Sequence, residues 1–322
     1  MDTNRTNMEV FFTDLTTIFN DMYVKTLADA VWAQIAMQIP STTATETHGW
    51  LNDIPGLREW IGPRVANGVE SKKLTVTNKK FEGTIEMKRE DIEDDKLGLY
   101  RTIQAPGLGM EAAIYPEELI LGALLYGTTS KWVDDTEFFS DARTIGSSGT
   151  IDNYGTTALS AATFNTAYKT MAGWKSNQGK PLHVRPRYLL HGPAQRTKAF
   201  EICQDDFAAR TADASTIVQG GNPNKGKVIP IETPYLVDGI TLPTVGGATA
   251  SYDAEDYWFL LGEKAALRGM CWQLRMGPEV QTSRTDNNSD YVFENDCYQF
   301  GVRMRGAAFL TMPQLIHGNF VA

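Results

Sequence analysis

The pattern closest to a known chemical site is residues 221–228, which read GNPNKGKV and match the GxxxxGK of a phosphate-binding loop up to its last position. Such a loop needs Ser or Thr after the lysine, because that hydroxyl holds magnesium, and then a helix whose N–H groups face the phosphates. Val228 has no hydroxyl, and residues 228–231 are typical of a strand. We therefore interpret this segment as a surface turn.

Metal-binding patterns are also incomplete. Residues 286–290 begin like a calcium loop, but Tyr291 stands where glycine is required and Cys297 where a bidentate glutamate is required. No two of the 4 histidines have the HxxxH or HExxH spacing of a helical zinc pair. The 3 cysteines are far apart and form no CxxC, so we predict buried reduced thiols and no metal site.

Catalytic patterns are equally weak. His191 precedes Gly192 and Pro193 at the end of an apolar stretch, where catalytic residues can occur, but we favour a turn histidine without a special role. No GxSxG or GxGxxG is present, and paired neighbours such as Asp134 and Asp135 rarely converge on one site. We predict no catalytic or cofactor-binding residue and no cofactor. An enzyme of unfamiliar class stays open, because catalytic residues from separate strands leave no local pattern.

Composition and charge narrow the class further. The chain has 322 residues, 42% hydrophobic and 21% charged, which is ordinary for a globular protein with a sizeable core. The net charge of −9 disfavours tight general binding of nucleic acid, since that affinity comes from lysine and arginine. No apolar run approaches the length of a membrane span, and no signal peptide is visible. We therefore expect no membrane partner and a protein that stays in the cytoplasm where it is made.

The N-terminal region predicts helices. Phe11, Leu15, Ile18 and Met22 recur at helical spacing with polar residues between them. A second apolar stretch, residues 27–39, is predicted to be helical and to end at Pro40. An amphipathic terminal helix packs either on its own body or on a neighbouring chain.

Residues 41–80 differ from the rest of the chain. Trp50, Trp60 and Ile61 alternate with the turn dipeptides at 55–56 and 62–63, both of which combine proline and glycine. Such a segment has no compact local core in which to bury its aromatic rings. We predict a protruding hairpin whose aromatic residues are covered by another chain.

The remaining residues alternate between strand and helix patterns. Residues 81–88 and 298–305 have a period of two, and a helical region extends to about Gly127. Further helices are predicted over residues 164–174, with a cap at Ser160 or Thr163, and over 193–203. Further strands are predicted over residues 188–190, 228–236, 257–261 and 269–274, and polar loops over 128–160 and 205–227. The chain is therefore predicted to be α+β.

A series of short stretches occurs in a fixed order along the chain. The first are PSTTAT at 40–45, HGWL at 48–51 and LREWIGPR at 57–64; later ones are NKKFE at 78–82, IEDD at 92–95, GLY at 98–100, FF at 138–139, GKPL at 179–182, RP at 185–186, NPNKG at 222–226 and QFGVRMR at 299–305. Together they resemble the signature of the Mu-like phage major head subunit family. His48 stands where that family is expected to have Tyr or Phe, and the loop between Phe139 and Ser160 departs from its pattern.

The resemblance implies an HK97-like capsid fold of the α+β class. It divides the chain into an N-terminal arm at 1–45, an extended β-hairpin or E-loop at 46–83, a peripheral domain with a long spine helix at 84–149, an axial domain at 150–268, return strands of the peripheral domain at 269–308, and a C-terminal segment near the axial domain at 309–322.

The implied function is that of a major capsid protein. Subunits would assemble as pentamers and hexamers into an icosahedral head around double-stranded DNA, without sequence-specific binding, and would be found in the virion after assembly in the host cytoplasm. Implied partners are a scaffold protein, a portal and a maturation protease, with a decoration protein as an optional further partner. The candidate inter-subunit contacts are Trp50, Leu57, Arg58, Glu59, Trp60, Ile61, Arg64, Phe11 and Leu15. Another shell protein of the same fold, a phage tail protein and an unfamiliar enzyme stay open as alternatives.

Overall fold

The computed structural model of the chain describes residues 5–51, 71–94, 98–144, 150–176, 179–211, 217–245, 247–282 and 290–321. The helices in this part are α1 (Arg5–Asp29), α2 (Val31–Ile35), α3 (Arg89–Glu93), α4 (Ala105–Leu125), α5 (Ala161–Ala172), α6 (Arg196–Cys203) and α7 (Asp290–Asn295). The strands are β1 (Ala36–Pro40), β2 (Thr45–Leu51), β3 (Ser71–Thr77), β4 (Lys79–Lys88), β5 (Arg143–Thr144), β6 (Thr150–Ile151), β7 (Tyr154–Gly155), β8 (Arg185–His191), β9 (Phe207–Thr211), β10 (Ile217–Gly221), β11 (Ile229–Glu232), β12 (Ile240–Pro243), β13 (Thr249–Tyr252), β14 (Trp258–Lys264), β15 (Leu267–Arg268), β16 (Met270–Thr282), β17 (Cys297–Leu310) and β18 (Ile316–Asn319).

The first sheet has four strands in the order β1-β16-β17-β4. Its long central pair, β16 and β17, is antiparallel, and β4 and β1 form its two edges. The period-two prediction for residues 81–88 and 298–305 is confirmed, because these residues belong to β4 and β17. One face of this sheet carries helices α1 and α4.

The N-terminal helix α1 packs on its own subunit. Phe12 stacks on Phe300 of β17 with ring centroids 6.4 Å apart, and Phe19 meets the same ring edge to face at 6.5 Å. α1 approaches α4 so closely at Gly109 that a Cβ there would lie 2.6 Å from the carbonyl oxygen of Phe19. Glycine at 109 therefore allows the two helices to touch backbone to backbone.

The predicted helix over residues 27–39 is only partly correct. α1 ends at Asp29, α2 is a single short helix, and from Ala36 the chain is a strand that pairs in parallel with β16. The apolar run fits either element by composition. The free edge of β16 decides the outcome, since pairing satisfies backbone groups that a helix end would leave open.

The central helix α4 lies between the four-stranded first sheet and a second sheet of six strands. It contains Pro116 and is preceded by a π-helical turn at Tyr100–Gln104, so the predicted helix reaching Gly127 is confirmed with an irregular start. Gly122 faces β12, where a Cβ would come within 2.1 Å of the Pro243 carbonyl oxygen. The helix thus contacts α1 near one end and the β12–β13 hairpin near the other.

The second sheet has the order β11-β8-β14-β18-β7, with β15 paired to β14. Its central strands are apolar on both faces: Leu190 and Phe259 point into the core shared with α4, while Leu189 and Leu260 point into the core under α5 and α6. Continuous apolar runs are expected of strands buried on both faces. Helix α5 begins at the predicted cap, where Ser160 accepts a hydrogen bond from the Thr163 backbone N–H.

The predicted loop over residues 205–227 is wrong in part. Residues in β9 and β10 pair antiparallel, from Phe207 opposite Gly221 to Thr211 opposite Ile217. Alternation in FAART and IVQGG is too short to stand out from a polar segment, so only the pairing partner reveals the strands.

Candidate assembly interface

The predicted protruding hairpin begins as a two-stranded ladder of β2 and β3. Thr45 is opposite Thr77, and the register continues to Leu51 opposite Ser71. Trp50 lies in β2, paired with Lys72 through the backbone. The predicted contact residues at 57–61 and 64 lie outside the described residues.

The two strands of this hairpin, β2 and β3, are connected to opposite edges of the first sheet. β2 follows the edge strand β1, and β3 leads into the other edge strand, β4, so the central strands β16 and β17 lie between them. The hairpin has its own ladder, separate from that sheet. Side chains at its base must therefore hold it in place.

On the β2 side, Glu46 closes the turn formed by the PSTTAT stretch. One carboxylate oxygen, Oε1, accepts hydrogen bonds from the backbone N–H of Thr42 at 2.8 Å, the N–H of Thr43 at 3.0 Å and the hydroxyl of Ser41 at 2.9 Å. The backbone N–H groups of Thr42 and Thr43 and the Ser41 hydroxyl favour the ionised form and lower the pKa of Glu46 to about 2. The PSTTAT residues thus form a turn that binds an anionic side chain.

On the β3 side, Asn78 joins that turn to the sheet. Its side-chain N–H group donates to the Ser41 hydroxyl at 2.8 Å and to the Thr43 carbonyl at 2.9 Å. Its side-chain oxygen accepts from Nε2 of Gln273 in β16 at 2.8 Å. Asn78 and Gln273 are both buried, so each of these bonds replaces water that has been excluded.

His48 completes the connection. Its Nε2 lies 2.7 Å from Oε1 of Gln273, and because a carbonyl oxygen only accepts, the imidazole donates. The ring stacks on Phe309 of β17 at 5.2 Å between centroids. Histidine therefore keeps the aromatic contact expected of Tyr or Phe and adds a hydrogen bond. We call Ser41, Glu46, His48, Asn78 and Gln273 the root cluster.

Apolar packing lies directly beside the root cluster. Val76 of β3 is buried in a small core with Cys271, Ala307 and Phe309 from the central strands, and Leu74 packs against its edge. The hairpin base is therefore fixed by hydrogen bonds on one side and by burial on the other.

Phe11 and Leu15 are not placed as surface contacts. Both are buried, at 2% and 1% exposure, in the core that α1 shares with Tyr298 and Phe300. The Arg101 guanidinium covers the Phe11 ring at 5.1 Å. The sequence could not distinguish the two outcomes, because an apolar helix stripe looks the same whether it faces its own body or a neighbour.

The near-match to a phosphate-binding loop, His191 and the cysteines have structural roles, whereas most of the calcium-like stretch at 286–290 lies outside the described residues. Gly226 adopts a φ of 70° in a turn that leads directly to β11, with no helix after it, so the predicted surface turn is confirmed. His191 is buried and donates from Nδ1 to the Gly192 carbonyl at 2.9 Å, and burial lowers its pKa. The three cysteines are free and buried, as predicted.

Two features are absent from the described ranges. No group of three or more His, Cys, Asp or Glu residues there is arranged to hold a metal ion. No helix in those ranges is long and apolar enough to cross a lipid bilayer.

The solved structures that align with this chain include phage capsids. The procapsid of bacteriophage JBD30 aligns with a TM-score of 0.53 and 24% identity, over 97% of this chain and 76% of that chain. The capsid of Cyanophage P-SCSP1u aligns with a TM-score of 0.59 and 10% identity, over 89% of this chain and 86% of that chain. The fold is therefore that of the HK97-like capsid proteins, and the predicted α+β fold class is confirmed.

The sequence itself narrows this class to one family. Residues 8–158, 152–236 and 238–320 match the family described as Mu-like prophage major head subunit gpT, and this chain belongs to that family. The "Major capsid protein" of Escherichia phage Mu is 40% identical over 112 residues, which are 35% of this chain and 36% of that protein. That alignment spans about a third of the curated relative. The family is one of structural head subunits and not of enzymes.

Proposed function

We propose that this chain is the major capsid protein of a Mu-like tailed phage or prophage, and that it assembles as pentamers and hexamers into an icosahedral head around double-stranded DNA. The observation that carries the proposal is the family match over residues 8–320 on a chain with the HK97-like capsid fold. A tail protein or a shell of another kind would share at most the fold. An enzyme would need a site that the described residues do not assemble.

In this proposal the two sheets have different places in the shell. The sheet of β1, β16, β17 and β4, with α4 as its spine, forms the peripheral domain, and residues 150–268 form most of the axial domain around the five- and six-fold centres. The C-terminal strand β18 is assigned to the axial domain in this proposal, because it pairs with β14. Rotational copies of one contact close a ring, and rings of five and six close a container of fixed size.

The hairpin supplies the contact between neighbours. Trp50, Trp60 and Ile61, together with Arg58 and the remaining candidates in residues 57–64, cover apolar surface on the adjacent subunit. A large part of the stability of such an assembly belongs to the shell, because each bound neighbour shifts the folding equilibrium by mass action. Phe11 and Leu15 are left out of this proposed contact, since both are buried in the core of their own subunit.

The proposed partners act before and after closure. A scaffold protein and a portal start assembly in the host cytoplasm, a maturation protease removes the scaffold, and a decoration protein is an optional later partner. The packaged DNA meets a subunit of net charge −9, which disfavours clamping of phosphates and leaves the DNA free to be injected.

The test is expression of this chain together with the scaffold gene from the same genome, followed by light scattering and negative-stain electron microscopy. Closed shells, or rings of five and six, support the proposal. A uniform monomer or dimer under all conditions contradicts it.

A further inference from the structure

We infer that Glu46 and Asn78 are positioning residues for assembly: together they set the direction in which the β2–β3 hairpin leaves its subunit. This inference rests on the proposed function, since the direction matters only if the hairpin must meet a neighbour. It assigns to the PSTTAT stretch and to Asn78 a role that their sequence alone does not indicate.

The first step is that neither strand of the hairpin pairs with a strand of the first sheet. β2 pairs with β3 alone, while the first sheet ends at β1 on one side and β4 on the other. A ladder fixes the register between its own strands but leaves its orientation to the rest of the molecule free. Orientation must therefore come from contacts at the base.

The second step is that the root cluster joins three separate parts of the chain. Glu46 holds the turn after β1, Asn78 holds that same turn from the end of β3, and Gln273 connects Asn78 to the centre of the sheet. A backbone hydrogen bond from the Asn78 N–H to the Ala44 carbonyl, at 2.9 Å, also connects the end of β3 to this turn. The chain segments that lead into β2 and out of β3, which come from opposite edges of the sheet, are thus connected to each other and to β16.

The third step is the distance from the root cluster to the far end of the hairpin strands. β2 runs from Thr45 to Leu51, and at a rise of ~3.3 Å per residue its far end lies ~17 Å from Glu46. A rotation of ~10° about Glu46 would move that end by ~3 Å, close to the van der Waals contact distance between two carbon atoms. A small loss of order at the root therefore becomes a large error at the neighbouring subunit.

The root cluster is also suited to hold one geometry. Glu46 Oε1 is the common acceptor of three donors, and charge-assisted bonds of this kind are stronger and more directional than neutral ones. Asn78 uses both its donor group and its acceptor in buried bonds, which leaves it one arrangement. A cluster that only added stability would not need to be connected across both strands.

The first experiment measures the angle in unassembled subunits. Spin labels at Lys73→Cys on β3 and Glu90→Cys on α3, just after the far end of β4, both exposed positions, report the hairpin direction by double electron–electron resonance. The labelled protein with an unchanged root cluster should give one narrow distribution of distances between the two labels. Glu46→Ala should broaden it, and Glu46→Gln, which keeps an acceptor oxygen, should restore much of the narrow component. An equally narrow distribution in Glu46→Ala would contradict the inference whatever the shells do.

The second experiment measures assembly. In co-expression with the scaffold, Glu46→Ala is expected to lower the yield of closed shells about tenfold, the change that ~1.4 kcal/mol makes in one association step. Open sheets and irregular particles should replace the closed shells, while the melting temperature of the subunit stays close to that of the unchanged protein. The matched control is Glu82→Ala, which removes an exposed carboxylate that accepts a hydrogen bond from Thr84 of its own strand.

The outcomes separate the two proposals. Normal shells from Glu46→Ala and from a second variant, Asn78→Ser, would contradict the positioning role alone. Absence of shells from the unchanged protein would contradict the proposed function and this inference with it. If Glu46→Ala lowers both the melting temperature and the shell yield, and Glu46→Gln rescues neither, the root cluster is structural and the inference is wrong.

Discussion

Truncation of Phe11 tests whether α1 belongs to the core of its own subunit. The ring is 2% exposed, lies 5.9 Å from Phe12 edge to face, and is covered by Arg101. Phe→Ala at a buried site costs ~3–5 kcal/mol, because apolar burial is lost and a cavity remains. We therefore expect Phe11→Ala to destabilise the isolated subunit by an amount in that range.

The expected shift in melting temperature follows from the size of the chain. At ~2.1 cal/mol/K per residue, 322 residues have an unfolding entropy of ~0.7 kcal/mol/K. A loss of ~3–5 kcal/mol then lowers the melting temperature by ~4–7 °C, provided that the subunit unfolds as one cooperative unit. Differential scanning calorimetry of unassembled subunits, kept dilute and without scaffold, measures this shift directly.

The control lies one residue away on the same helix. Val10 is 55% exposed, so Val10→Ala removes little buried surface and exchanges a β-branched residue for a better helix former. Its melting temperature should change by less than ~1 °C. If Phe11→Ala melted like the unchanged subunit but failed to assemble, the ring would be an inter-subunit contact and our placement of α1 would be wrong.

Three further predictions follow from single sites. Trp60→Ala should leave the subunit folded, with an unchanged circular dichroism spectrum, but should lower shell yield in the co-expression assay; unchanged yield would contradict the contact role. Gly109→Ala should destabilise the subunit by ~1–3 kcal/mol, because the new Cβ would lie 2.6 Å from a carbonyl oxygen of α1, and an unchanged melting temperature would refute that close approach. Burial lowers the pKa of His317 from 6.5 to about 4, so the unfolded chain binds a proton that the folded chain does not, and this site should lower stability as pH falls from about 6.5 towards about 4. His317→Gln should reduce that part of the pH dependence in thermal melts, and an identical pH profile would contradict it.

Elements with a strong local pattern could be predicted from the sequence. The alternation in β4 and β17 has one apolar and one polar face along most of its length, and α5 has both its apolar stripe and its cap at Ser160. In each case the residues that decide the structure lie within a few positions of one another. Local patterns carry such information because side-chain direction repeats with the element's own period.

Elements whose structure depends on a distant partner could not be predicted. β1 was assigned to a helix because the edge of β16, more than two hundred residues away, is invisible in residues 27–39. The β9–β10 hairpin was missed for a similar reason, since neither strand is apolar enough to stand out. In both places the pairing partner outweighs the local preference.

A hairpin in this region could be predicted from the sequence, but the contacts at its base could not. Composition and turn residues indicated a protruding hairpin at 41–80, and the family resemblance indicated its use. The bond between Asn78 and Gln273 joins residues 195 positions apart, and no spacing rule connects them. Glu46 gave no signal because a glutamate after a Ser/Thr-rich stretch is common in solvated loops. Its role became visible only when the turn donors were seen around one oxygen.

Cryo-electron microscopy of particles formed with the co-expressed scaffold tests the central claim most directly. We predict closed shells in which subunits surround five- and six-fold axes, with the first sheet at the periphery of each ring, the second near its centre, and each β2–β3 hairpin lying on an adjacent subunit. Particles without five-fold positions, hairpins folded back on their own subunits, or a chain that never forms particles would contradict the assignment of this protein as a head shell subunit.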